Sequence, residues 1–244
     1  MIAKEKDYFI NTKNILVSLV FIAPFIIIYE FICFFYFRNE NYQIRNSADV
    51  IIRDFFNLFG VFSDEIYSVT LLATLVLIYF VNRPNIKNNI ISYKFLLLMF
   101  FEGVFLGLVL LLLLNDISVF SKIKYIYQTD LLLNLYLCIG AGIWEEILFR
   151  LILFSFLYKS FQGLDKRKIF NPFILSLFLS SILFSLFHYI GYNGDVFLFN
   201  TFIIRMLGGI LLGVIYYYRG FGISVMSHIS YDFILVSLPL IYTT

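Results

Sequence analysis

Apolar residues run in blocks long enough to cross a lipid bilayer, and this feature limits the chain to a membrane fold before any motif is read. A helix needs ~20 apolar residues to span a hydrocarbon core of ~30 Å. Seven blocks approach or exceed that length: Ile15–Phe37, Ile66–Val81, Phe95–Leu114, Leu131–Phe161, Ile169–Ile190, Val196–Tyr218 and Gly222–Ile241. Composition agrees, since 61% of the residues are apolar and 14% charged, where soluble domains have about 45–50% and about 25%. The expected fold is all-α: a polytopic transmembrane bundle of about seven spans whose main partner is the lipid bilayer.

The first block is too long for the apolar region of a cleavable signal and lacks a small-residue cleavage site after it, so it should remain as an anchor. With the N-terminus in the cytoplasm, eleven Lys and Arg fall inside (Lys4, Lys6, Lys13, Arg83, Lys87, Lys94, Lys159, Lys166, Arg167, Lys168 and Arg219). Five fall outside: Arg38, Arg45, Arg53, Lys122 and Lys124. That asymmetry predicts a multi-pass cell-membrane protein with its N-terminus cytoplasmic. Between the first two spans, Asn46–Phe62 mixes Asp49, Arg53 and Asp54 with Val50, Ile51, Phe55, Leu58, Phe59 and Phe62 at helical spacing. It reads as an interfacial helix on the outer surface. Residues 1–244 then form a single integral membrane domain, without internal repeats or an appended soluble domain. A net charge of +2 dispersed over loops excludes nucleic acid as a partner. Cys33 and Cys138 both lie inside apolar blocks and read as packing residues.

A charged side chain at the bilayer centre costs at least ~2.5–3.5 kcal/mol on insertion scales, so each one needs a partner or a purpose. Glu30, Glu102, Glu145, Glu146, Arg150, His188, Arg205, His228 and Asp232 all fall inside spans. Most of those in the C-terminal half gather in Glu145–Arg150, Phe184–His188 and His228–Asp232, which include both histidines of the chain. Glu146 and Arg150 are four apart with the acid N-terminal, the favourable order for an ion pair. Glu145 is turned by about 100° from Glu146, which leaves its carboxylate available. Counted from the turn at Asp165–Lys168, Glu145 and His188 both lie ~24 Å away, so an antiparallel hairpin brings them to one level. His228 and Asp232 share a face of the last span. Counted from Arg219, His228 is only ~13 Å deep. Either the glycine-bearing turn Arg219–Gly222 is itself sunk into the protein, where Arg219 could snorkel outward, or the boundaries of the last span lie elsewhere.

Such groups can activate water, hold a metal or relay protons. Peptide hydrolysis needs a base for the water and donors for the oxyanion. Glu145 with one histidine meets the first need and the other histidine the second. Zinc is the alternative, with Glu145, His188 and His228 as ligands of a three-ligand catalytic site. The spacing alone does not choose, and no His-Glu-x-x-His helix is present.

The order Glu145-Glu146-x-x-x-Arg150, Phe184-x-x-x-His188, His228-x-x-x-Asp232 resembles the three-motif signature of the CAAX-protease and bacteriocin-processing family, also called Abi. The resemblance covers residues 131–241. It implies an intramembrane endopeptidase acting on a membrane-associated peptide or protein. Glu145 and His188 would activate the water, His228 and Asp232 would support the oxyanion, and Glu146, Arg150 and Phe184 would support or assist. The family's members include the endopeptidase that trims prenylated proteins and bacterial proteins of pheromone processing and bacteriocin immunity. Asp232 departs from the usual Asn of the third motif. Ionised, it repels an oxyanion; protonated, it donates to one; otherwise it orients His228 or ligates a metal. A composition rich in Ile, Phe and Asn points to a low-GC bacterial source, where pheromone or bacteriocin peptides are the expected substrates. The competing readings are a non-proteolytic immunity protein that binds a peptide and a proton-coupled transporter. A transporter would show an inverted repeat with polar sites in both halves, whereas the ionisable groups here concentrate in one.

Overall fold

The computed structural model describes residues 8–36, 45–60, 64–81, 92–114, 131–164, 170–191 and 194–241. Among these residues every regular element is helical. In chain order they are α1 (Ile15–Tyr36), α2 (Ser47–Asn57), α3 (Asp64–Val81), α4 (Tyr93–Leu114), α5 (Leu131–Gly140), α6 (Ser155–Leu164), α7 (Pro172–Phe187), α8 (Phe199–Arg219) and α9 (Phe221–Ile241). Two π-helical stretches, Ala141–Glu145 and Ile147–Phe154, join α5 to α6 without a break. Helices thus stand at all seven apolar blocks. By length and composition alone, α1, α4 and α8 each suffice to cross a membrane.

The distribution of side chains is that of a protein in lipid. Phe101, Phe105 and Leu112 of α4 face outward, while Glu146, Asp49, Asn134 and Arg150 are buried. A soluble domain shows the reverse. Helix α9 runs through the middle, against α4 on one side and α1, α5 and the first π stretch on others. Glycines set how closely α4 approaches it. A Cβ at Gly107 would lie 2.9 Å from the Ser227 carbonyl oxygen, and one at Gly103 would overlap Met226. This small-xxx-small pattern lets two membrane helices touch backbone to backbone, where dispersion replaces the missing hydrophobic drive.

Local sequence explains the helix ends that matter for the site. Asn171 caps α7, its Oδ1 accepting from Phe173 N (3.0 Å), and Pro172 occupies the first turn, where its missing N–H costs nothing. Helix α2 forms within the expected interval, but Asp49 and Arg53 turn into the protein while Asp54 stays exposed. Val50, Ile51, Phe55 and Phe56 face out instead. Its polar face is therefore matched to the bundle and its apolar face to lipid, the inverse of a soluble amphipathic helix.

The turn before α9 resolves the depth question. Gly220 has φ +95°, and a Cβ there would sit 2.7 Å from the Thr12 carbonyl oxygen, so the turn packs against the chain just before α1. Arg219 does not snorkel outward as expected. It donates from Nη2 to Glu102 Oε2 (2.8 Å), and Tyr8 donates to the same carboxylate. Glu102 is the tenth residue of α4, or about 14 Å along it. The turn is sunk because a half-buried acid within α4 holds it there.

Candidate active site

The π stretches carry the first motif. A π turn leaves the regular i−4 ladder, and such turns recur at functional sites. Ser155 Oγ takes up the Arg150 carbonyl, five residues back, at 3.2 Å. This widening is not legible in the residues themselves, because π turns have no strong residue signature.

Glu146 and Arg150 pair as their spacing predicts, Nη1 to Oε1 at 3.0 Å, both buried. The guanidinium also lies 4.3 Å from the centroid of the Phe184 ring and donates from Nη2 to the Gly209 carbonyl (3.4 Å). Glu146 has two further partners on α9. Ser224 Oγ donates to Oε2 at 2.6 Å, and His228 Nδ1 stands 2.9 Å from Oε1. Glu146 is thus the hub that ties Arg150 to the third motif. Ser224 was missed by the sequence reading, although a signal existed: Ser224, His228 and Asp232 are spaced by four on one helix face.

Glu145 points to the other side. Its Oε1 accepts from Asn46 Nδ2 at 2.9 Å. Its Oε2 lies 3.9 Å from His188 Nε2 and 4.0 Å from His228 Nε2. The level inferred for Glu145 and His188 from helix rise is thus the level they occupy, and the sunken turn brings His228 to it.

The orientation of each imidazole follows from its partner. His188 Nδ1 is 2.9 Å from the Phe184 carbonyl oxygen. A carbonyl only accepts, so Nδ1 carries the proton and, in the neutral ring, Nε2 keeps its lone pair. His188 directly follows the last residue of α7, and its side chain is a quarter exposed, so the site opens at this end of the helix. His228 Nδ1 faces the Glu146 carboxylate, which turns Nε2 toward Glu145 and toward Asp232 Oδ2, 3.5 Å away. Phe184 forms the wall between them, edge-on to His188 (centroids 5.0 Å apart) and to His228 (6.1 Å).

All seven residues named from the sequence therefore converge: Glu145, Glu146, Arg150, Phe184, His188, His228 and Asp232. Asn46, from the far end of the chain, joins them and was not singled out. The other charges found inside the apolar blocks find partners elsewhere. Glu30 pairs with Arg45 and Arg53, Glu102 with Arg219, and Arg205 with Asp195. Among the described residues, no group of three or more His, Cys, Asp or Glu side chains is arranged to hold a metal ion.

Residues 127–234, which contain all three motifs, match the family model described as type II CAAX prenyl endopeptidase Rce1-like. That match supports the family that the motifs resemble, and with it an intramembrane protease of the CAAX type in general. No curated protein and no solved structure matches the chain.

Proposed function

We propose that the chain is an endopeptidase that cleaves a membrane-associated peptide or protein through a water activated by Glu145 and His188. One observation carries the reading: a single carboxylate oxygen, Glu145 Oε2, is faced by the Nε2 atoms of two histidines at 3.9 and 4.0 Å. Both separations are too long for a direct hydrogen bond and suit a water placed between. Glu145 takes a proton from that water as its oxygen bonds to the scissile carbonyl carbon. The carbonyl oxygen gains the electron pair and meets the Nε2–H of protonated His228. Collapse of the tetrahedral intermediate breaks the C–N bond, and the proton on Glu145 passes to the leaving amine. Asp232, 3.5 Å from His228 Nε2, serves in this reading as the charge partner of that ring rather than as an oxyanion donor.

The substrate class we favour is a bacterial pheromone or bacteriocin peptide, in maturation or self-immunity, with the protein in a plasma membrane. The test compares peptide profiles of membranes from cells carrying the wild type and Glu145→Ala. A peptide that changes length only with the wild type supports hydrolysis, whereas identical profiles with immunity retained by the variant favour a binding protein. Stoichiometric zinc in chelator-washed protein would replace the water-only route with one in which Glu145, His188 and His228 bind the metal.

A further inference from the structure

The residues that match the Rce1-like family begin at 127, yet the polar contact that fixes Glu145 comes from residue 46. Asn46 makes two side-chain bonds at once. Its Oδ1 accepts from Ala48 N (2.8 Å) as the cap of α2, and its Nδ2 donates to Glu145 Oε1 (2.9 Å). These partners settle the orientation of the amide. Rotating it by 180° would set an NH₂ against a backbone N–H and an oxygen against a carboxylate. Among the residues that cap helices well, Asp and Ser supply the acceptor, but neither supplies a second atom that donates across to Glu145.

The segment bearing Asn46 is held from several sides. Its backbone N–H donates to Tyr29 Oη (3.3 Å), and that hydroxyl donates to Asp49 Oδ2 (3.1 Å). The Tyr29 ring stacks on Tyr136 of α5 at 4.6 Å and meets Trp144, the neighbour of Glu145, edge-on. Arg45 and Arg53 bind Asp49 at 3.0 and 2.8 Å. An amide so anchored fixes the carboxylate it touches.

We propose that Asn46 is a positioning residue for Glu145: by occupying Oε1 it leaves Oε2 as the oxygen turned toward His188 and His228. Its catalytic consequence rests on the peptidase reading above, while the placement of the carboxylate does not.

The test uses three variants of the full chain in detergent or liposomes: Asn46→Ser, Asn46→Asp and Asn46→Ala. A residue that served only as a helix cap would tolerate Ser and Asp and suffer only from Ala. A positioning residue fails in all three. The expected result for Asn46→Ser is a kcat lower by roughly tenfold or more, since it loses a hydrogen bond to a charged group. KM should stay within about twofold and the melting temperature close to wild type, because the cap is kept. Asn46→Asp should fall further, since it sets a second carboxylate against Glu145. A second arm needs no activity. The infrared difference between wild type and Glu145→Gln isolates the Glu145 carboxylate bands, and these should move in Asn46→Ser. Unmoved bands, or moved bands with unchanged kcat, overturn the proposal. If the wild type cleaves nothing, the peptidase reading fails and the infrared arm alone decides whether Asn46 places Glu145.

Discussion

Two buried ionic clusters lie on either side of Asn46, and they are built on opposite rules. In the first, Glu30, Asp49, Arg45 and Arg53 form a closed ring in which each carboxylate meets both guanidiniums, at distances from 2.7 to 3.4 Å. Ser68 also donates to Glu30 Oε2 and Tyr29 to Asp49 Oδ2. Two fixed negative charges meet two cations that never lose their protons. In the second, three carboxylates (Glu145, Glu146 and Asp232) face one guanidinium and two imidazoles. That cluster balances only if both imidazoles are protonated, so its charge depends on groups that exchange protons near neutral pH. The first arrangement can only hold helices together. The second can also take up and release protons, which is the chemistry that hydrolysis requires.

Neutralising one acid in each cluster tests this contrast most strongly. Glu145→Gln should lower turnover by about 10²–10⁴-fold, the usual range for a lost general base, and leave the melting temperature nearly unchanged. Glu30→Gln should do the opposite, lowering stability while the folded fraction keeps its specific activity. A well-folded Glu145→Gln protein with full activity would dissolve the distinction and move the weight to a peptide-binding role.

His188→Ala and His228→Ala should both abolish activity with the fold retained, but not at equal structural cost. His228 also occupies Glu146 Oε1 (2.9 Å), so its removal should cost about 1–3 kcal/mol of stability. Among the described residues the His188 ring hydrogen-bonds only to a carbonyl, at a helix end where it is a quarter exposed, and its loss should cost less. Thermal melts of the two variants side by side read the difference.

Glu146→Gln leaves Arg150 as a buried cation without its counter-charge, a change that typically costs about 3–5 kcal/mol. Membrane abundance and melting temperature should both fall, and activity should fall with them because His228 loses its orienting partner. If the variant melts like the wild type, the ion pair contributes nothing and Arg150 is held by Phe184 and Gly209 alone.

Topology is the finest test and carries no energetic cost. Arg219, Arg45 and Arg53 are paired inside the bundle, so they drop out of the loop count. That leaves ten basic residues against three, with the same orientation favoured. In intact cells, a single cysteine at Tyr125 should react with an impermeant reagent and one at Gly163 should not. Tyr125 lies outside the described residues, between α4 and α5 in the chain. The reverse pattern would invert the protein and turn the open end of the site, beside His188, toward the cytoplasm.

Much of this site was legible because the bilayer makes polar residues conspicuous. A carboxylate in an apolar block costs too much to be accidental, so Glu145, Glu146, His188, His228 and Asp232 could be marked one by one. The fixed rise of a helix brought Glu145 and His188 to one level. Asn46 escaped because it stands at the start of an interfacial helix, outside any span, where a polar residue attracts no notice. Ser224 escaped because serine is common in membrane helices. Arg219 was misjudged for a different reason: a long cation at a helix end normally reaches water, and only the packing of α4 reveals that Glu102 competes for it.

The sequence by itself determined the solvent, the helices and the identity of most groups in the candidate site, since hydrophobic block length, helical periodicity and the cost of a buried charge are all local or additive quantities. The tertiary structure decided which oxygen of which carboxylate faces the histidines, which imidazole nitrogen carries a proton, and how deep the last helix begins. Those depend on contacts between residues far apart in the chain, such as Asn46 with Glu145 and Glu102 with Arg219. No spacing rule within a single helix encodes them.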